Sequence, residues 1–381
     1  MSQVELPDEA WLAVLAELPQ MGPRRLAMVV AESPPAEAWE RVVARRVPPA
    51  VDAPPKVRSD WADAARSIDV VERWQRYLDL GVGVLSVDAA AYPPVLRADP
   101  YRPAVLFVRG DPRILELPCV AVVGTRRCTR YGRDLAYDLG ERLSRAGVVV
   151  VSGLAVGIDA HAHRGALDTG ATPVAGVVGS GLDVVYPPAN RQLWSDVAEG
   201  GALVSEVPLG GEPTRWRFPA RNRIIAALAA ATIVVESHER GGSLLTAAEA
   251  AERGRTVIAV PGPVHSSASR GANALVAEGA QVLLHPDELG VLLPMLGVTL
   301  EREPHGLRHA ISPPSDHAVA VLDALGWCPL TFDQLTARLP GPITELASTV
   351  EVLLAAGLLG VRGPWLERTL SSAASSEGRG R

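Results

Sequence analysis

The sequence predicts an α/β protein with a doubly wound, mostly parallel sheet covered by helices on both faces. Three observations predict it. From about residue 82, short apolar, β-branched runs recur: "VGVLSV", "VLFVRG", "CVAVVG", "GVVVVSG", "TPVAGVVG", "ALVSEV", "ATIVVES" and "TVIAVPG". Helical stretches alternate with them, over 132–146, 160–169, 222–230 and 243–254. Most runs from "CVAVVG" onward end in Gly, Ser or Glu. Continuously apolar strands are buried on both faces, and helical crossovers make neighbours parallel. Such sheets bind ligands beyond the carboxyl ends of their strands, so residues that carry chemistry belong just after each run.

Flanking units precede and follow this core. Residues 1–80 read as helical: "DEAWLAVLAEL" opens on Asp and repeats apolar residues at helical spacing, and "AEAWERVVARR" does the same. Between them, "LPQMGPRRL" places a Gly-Pro turn between short helices. This is either a helix-hairpin-helix unit presenting backbone N–H groups to phosphate or a small packing domain. "VPPAVDAPPKV" is a proline-rich connection inside the unit. The core runs over 82–296 and a linker over 297–315. Helices follow over 316–325, 331–339 and 343–356, and "LLGVRGPWLERT" reads as a hairpin. Three helices and a hairpin over 316–370 make a winged helix. The tail 371–381 reads as disordered.

The totals restrict the function. A chain of 381 residues calls for two or three domains. The longest apolar runs, such as 224–235, are too short to cross a membrane, and "MSQVELPDEAW" lacks a basic n-region. Cys119, Cys128 and Cys328 have no metal-ligand spacing and cannot all pair, which suits a reduced cytoplasmic protein. A formal charge of −6 argues against a general polyanion binder, so any nucleic-acid site is a local patch. Lys56 is the only lysine; arginine, which forks onto phosphate and stacks on rings, supplies every other fixed cation.

The strand ends gather donors and cations. After "CVAVV" come Gly124, Thr125, Arg126 and Arg127 at a helix approach, suited to a phosphate or simply to a capped helix start. "SGLAVGIDAHAH" carries Asp159, His161 and His163. Alternate helical residues do not share a face, so Asp159 caps the helix and His163 makes a structural hydrogen bond in preference to binding metal. "GSGLDVVYPPANR" is a partial dinucleotide fingerprint with Val184 where the third glycine would stand. It offers Gly179, Ser180, Gly181, Tyr186, Asn190 and Arg191. "RWRFPARNR" places four arginines in nine residues, among them Arg221 and Arg223, with Phe218 and Asn222. "RGGSLLTAAEA" sets Gly241, Gly242 and Ser243 before a helix. No G-x-x-x-x-G-K-[ST] occurs, and no nucleophile with a partner, acid–base pair or metal set accompanies these groups. Donors and cations without chemistry point to binding of a phosphate-rich, ring-bearing ligand.

Over about residues 90–285 the ordered run "VAVVGTRRCTRYG … VVSGLAVGIDAHAH … GSGLDVVYPPANRQL … FPARNRIIAAL … GGSLLTA … AVPG … GANALVAEGA" resembles the DNA-processing protein A family, also called Smf. The resemblance implies an extended Rossmann-like core that binds single-stranded DNA, forms a homodimer and has no catalytic residue or cofactor. It further implies a recombination mediator that protects single strands and loads the RecA recombinase, as in natural transformation. Arg126, the Tyr186–Arg191 segment and Phe218–Arg223 would line the DNA pocket, with arginines on phosphates and Phe218 stacking on a base or shaping the pocket. The chain departs from the family's pattern at Val156, where a basic residue is frequent, and at Ala227, where a glycine is usual. The expected recognition helix over 343–356 carries Glu345 and Glu351 and no cation, which disfavours duplex reading. The rival reading is a nucleoside-monophosphate phosphoribohydrolase, whose "GGxGTxxE" loop is partly echoed by "GGSLLTAAE" with Glu249. Leu245 stands where that loop has glycine.

Overall fold

The protein is described as a computed structural model covering residues 6–298, 315–326, 329–356 and 358–368. The expected linker lies almost wholly outside the described residues, as do the tail and Cys328. Five helices come first: α1 (Asp8–Ala16), α2 (Pro23–Val29), α3 (Pro35–Val43), α4 (Pro55–Ser67) and α5 (Val70–Asp79). Each of α2, α3 and α4 begins on a proline, whose missing N–H is one that a first helical turn leaves unused anyway. The helical unit shares one apolar core with the sheet. Tyr77 is its anchor: the ring stacks 5.6 Å from Phe107, and its hydroxyl donates to Glu17 and accepts from the Leu209 N–H.

The core then runs β1 (Val82–Ser86), α6 (Pro94–Arg97), β2 (Val105–Gly110), β3 (Cys119–Val123), α7 (Arg130–Arg145), β4 (Val149–Ser152), α8 (Ile158–Thr169), β5 (Val174–Val178), α9 (Arg191–Gly200), β6 (Gly201–Ser205), α10 (Arg217–Leu228), β7 (Ala231–Val234), α11 (Gly242–Glu252), β8 (Thr256–Ala259), α12 (Arg270–Ala277), β9 (Gln281–Val282) and α13 (Leu289–Met295). The nine strands lie in the order β1-β2-β6-β5-β4-β3-β7-β8-β9. From β6 to β9 every pairing is parallel; β1 with β2 and β2 with β6 are antiparallel. The first two apolar runs thus form an antiparallel edge on an otherwise parallel sheet. Successive strand residues feed opposite layers: Val120 and Val122 pack with α7 and α8, while Ala121 and Val123 pack with α10 and α11. The winding reverses between β3 and β7, so the loops after these two strands flank the switch point.

Two local expectations change. Helix α10 begins at Arg217, five residues before the expected start, because Pro219 falls within the first turn, where its ring is tolerated. Asp159 does not cap α8. Its Oδ2 accepts the Gly153 N–H at 3.1 Å and closes the β4–α8 loop instead. His163 is fully buried, with Nε2 3.2 Å from the Ala175 carbonyl and no partner at Nδ1.

Burial holds the His163 imidazole down at a pKa of about 4. An unfolded chain takes up that proton near pH 6.5 while the folded chain refuses it until about pH 4, so folding stability is intact above 6.5 and lost on acidification through this window. The expected loss is at most about 3 kcal/mol from this one group. Urea unfolding curves between these pH values for wild type and His163→Gln check it, since half-buried His161 shifts in the same direction and Glu206 in the opposite one; an identical pH dependence in the two proteins contradicts the assignment.

The C-terminal unit comprises α14 (Asp316–Leu325), β10 (Leu330–Thr331), α15 (Phe332–Thr336), α16 (Ile343–Ala355), β11 (Leu359–Arg362) and β12 (Trp365–Arg368), with a separate apolar core. Its strands form an antiparallel sheet ordered β10-β12-β11. Thr331 and Gln334 cap α15 reciprocally. No described helix is long and apolar enough to cross a membrane.

Candidate nucleic-acid interface

The loops after β3, β4 and β5 meet the first turn of α10 in a cleft of about 120 Å³. Arg126, Gly179, Ser180, Tyr186, Phe218 and Arg221 all line it. The exposed Arg126 guanidinium lies over the Phe218 ring, with Cζ 5.2 Å from the centroid. Tyr186 sits on Phe218 at 5.4 Å between centroids. Arg126 donates no side-chain hydrogen bond to a described residue, so its charge faces the cleft. Gly179 keeps the floor low: a Cβ there would lie 3.4 Å from Phe218 Cδ1 and 3.3 Å from the Arg217 carbonyl.

Arg221 stands at the base and is only 8% exposed. Its Nη1 donates to the carbonyls of Gly153, at 2.8 Å, and Val177; Nε donates to Asn222 Oδ1 at 3.2 Å. These carbonyls close the ends of β4 and β5, where the parallel ladder runs out of donors. Burial lowers the guanidinium pKa to about 10; the Asp159 carboxylate opposes this shift and the Arg126 cation adds to it. Burial likewise raises Asp159, while Arg221 and the N–H groups of Ala155 and Gly153 hold it down. The two buried charges balance one another. Gly153 is required here, since a Cβ would come within 2.3 Å of Arg221 Nη1.

A second hollow of about 430 Å³ adjoins the first across Arg126 and Phe218. Arg127, Asn222, Gly242 and Ser243 line it. Ser243 Oγ donates to Ser237 Oγ at 2.9 Å, and Asn222 Nδ2 donates to the Gly242 carbonyl at 3.3 Å. The β3–α7 loop is fixed by buried Glu236, which accepts the Thr129 N–H and hydroxyl at 2.8 and 2.6 Å.

Four predicted residues lie outside both hollows. Asn190 is a bracket: Nδ2 donates at 2.9 Å to the carbonyl of Leu154, a residue held at φ 53°. Arg223 forks onto Glu206 at 2.5 and 2.6 Å and reaches the Tyr101 carbonyl. Gly181 donates its N–H to the Gly211 carbonyl. Arg191 is exposed at the start of α9. Sequence reasoning missed Gly153 and Ala155, which face the cleft, although the glycine ending "GVVVVSG" marks the strand terminus. Glu249, the acid of the rival reading, is salt-bridged to Arg253 at 2.6 Å, and Arg253 also binds Asp99.

An exposed cation on paired rings, beyond the carboxyl ends of the strands and beside the switch point of a doubly wound sheet, marks a Rossmann-like core with a candidate ligand cleft. Residues 83–293 match the family model for DNA recombination-mediator protein A, and the chain belongs to this family. It is 41% identical to the Smf protein of Escherichia coli K12 over 207 residues, covering 54% of this chain and 55% of that protein. With the DNA processing protein DprA of Bacillus subtilis it shares 36% identity over 57% of this chain and 73% of that one. The chain spans about half the length of the first of the curated relatives it matches. Among solved structures, DNA processing protein A from Streptococcus pneumoniae is similar with a TM-score of 0.61 at 30% identity, covering 75% of this chain and 98% of that one. The Helicobacter pylori protein, described for its single-stranded DNA binding mode, matches at 0.50 and 28% identity over 56% of this chain and 96% of its own.

Proposed function

We propose that the chain binds single-stranded DNA at this cleft, without catalysis, and acts as a recombination mediator that shields single strands and loads RecA. The observation that carries the reading is the Arg126–Phe218–Tyr186 stack, which offers a cation for phosphate beside flat faces for a base. Arg127 adds charge in the adjoining hollow, Arg191 is exposed at the start of α9, and Arg221 shapes the floor. Membership of the mediator family supports the RecA partnership, and the same reading has the chain act as a homodimer through its Rossmann-like core. The C-terminal unit, winged-helix-like in its three helices and hairpin, presents Glu345 and Glu351 on α16 and fits a protein contact better than a duplex.

Fluorescence anisotropy with labelled oligo-dT and the matching duplex, across a salt series, tests the binding. Tight single-strand binding is expected, with a log–log salt slope of about −0.7 for each phosphate contact. Duplex binding is expected to be weaker. A folded wild-type protein that binds no single strand overturns the reading, and release of adenine from AMP would support the hydrolase in its place.

A further inference from the structure

Trp216, immediately before α10, is 55% exposed, an unusual placement for an indole. The Arg217 guanidinium lies 5.4 Å from its ring centroid. Both residues line another hollow, whose far wall is the N-terminal turn with Met21, Pro23 and Leu26. Val178, Gly179 and Arg221 line this hollow and the Arg126–Phe218 cleft alike, so the two adjoin around the end of β5. No side chain at position 179 walls them apart.

The chemistry of this hollow suits a base rather than a phosphate. Its walls are apolar, and its one carboxylate, Glu206, is already bound by Arg223. Arg217 Nη1 is spent on the Glu212 carbonyl at 2.5 Å. Arg217 Nε, by contrast, is buried with no acceptor among the described residues, and a turn of the guanidinium on Trp216 would bring this donor to a ring carbonyl or ring nitrogen. Trp216 lines this hollow and Phe218 the first cleft, on different sides of the start of α10, so a strand passing over Gly179 would meet one ring in each.

We propose that Trp216, with Arg217 and the N-terminal turn, forms a second base-stacking subsite for the same single strand. The proposal rests on the DNA reading above. It gives the N-terminal helices a direct part in binding, through an apolar wall instead of backbone donors to phosphate. The Met21 and Gly22 N–H groups are already bonded, to Leu18 and Gln20 carbonyls.

The test is anisotropy with labelled oligo-dT of stepwise increasing length, comparing wild type, Trp216→Ala and Trp216→Phe, each checked by thermal melting. Oligomers short enough to fill only the first cleft are expected to bind all three alike. Longer ones are expected to bind wild type roughly 5- to 100-fold more tightly than Trp216→Ala, the size of one stacked base. Trp216→Phe is expected to keep most of that gain. Trp216→Ala matching wild type at every length overturns the subsite. If wild type binds and Arg126→Ala weakens it while Trp216→Ala does not, the DNA reading stands and only the subsite falls; if wild type binds no length, both fall.

Discussion

Arg221→Ala is expected to lower stability by about 3–5 kcal/mol, the cost of leaving a buried charge without its partner. The reason is geometric. The guanidinium holds the carbonyls of Gly153 and Val177 together and faces the buried Asp159 carboxylate. Alanine takes the donor from two strand-end carbonyls and the facing cation from Asp159, which keeps the Gly153 and Ala155 N–H groups and the weaker pull of Arg126. A melting temperature lower by roughly 6–20 °C follows for a core of this size. DNA affinity is expected to collapse with it, because the Gly153 loop and α10 form two sides of the cleft. Arg221→Lys keeps the charge but lacks the fork that spans two carbonyls, and is expected to fall between. Differential scanning calorimetry and anisotropy on the same preparations decide the matter. A melting temperature unchanged in Arg221→Ala, with the salt slope reduced by about 0.7, makes Arg221 a phosphate ligand rather than a girder.

Arg221 shows what the sequence makes legible and what it leaves open. The parallel strands announce themselves because burial on both faces forces unbroken apolar runs such as "CVAVV" and "VVVS". Strand β9 has two residues, too few for any pattern. The rule that ligands gather past the strand ends found Arg126, Gly179, Tyr186 and Phe218, which one cleft brings together. It could not sort the arginines. Arg221 and Arg223 stand two apart in one motif, yet one closes the strand ends and the other pairs with Glu206, seventeen positions earlier. The orphan carbonyls and the lone carboxylate that settle their fates exist only once the sheet has formed. Asn190 and Asn222 are similar cases: a polar side chain in a ligand-like motif is spent bracketing the loops that carry the site. Nothing in "LPQMGPRRL" tells that its turn faces the end of β5, because that contact depends on how the N-terminal helices dock through Tyr77.

The exposed half of the motif carries the second large effect. Arg126→Ala is expected to reduce single-strand affinity and to flatten the salt slope by about 0.7, one phosphate contact. Phe218→Ala is expected to cost about 1–3 kcal/mol of binding through lost stacking, with the slope unchanged. Neither group stabilises the fold greatly. Arg126 makes no side-chain hydrogen bond to a described residue, and melting of Arg126→Ala is expected to stay within about 0.5 kcal/mol of wild type. The two losses do not add. In the free protein the Arg126 guanidinium already rests on the Phe218 face, an exposed cation–π contact of roughly 0.5–1 kcal/mol that holds both in place for a ligand. Removing either partner frees the other, so a double-mutant cycle measured by anisotropy is expected to show coupling. Strict additivity would show that Arg126 and Phe218 act independently, and a salt slope unmoved by Arg126→Ala would place the phosphates elsewhere, with Arg127 and Arg191 the next residues to substitute. The cation and the ring act as one device: the ring fixes a cation that has no salt bridge to a described carboxylate, and the cation keeps charge at the mouth of a cleft in a chain whose net charge is −6.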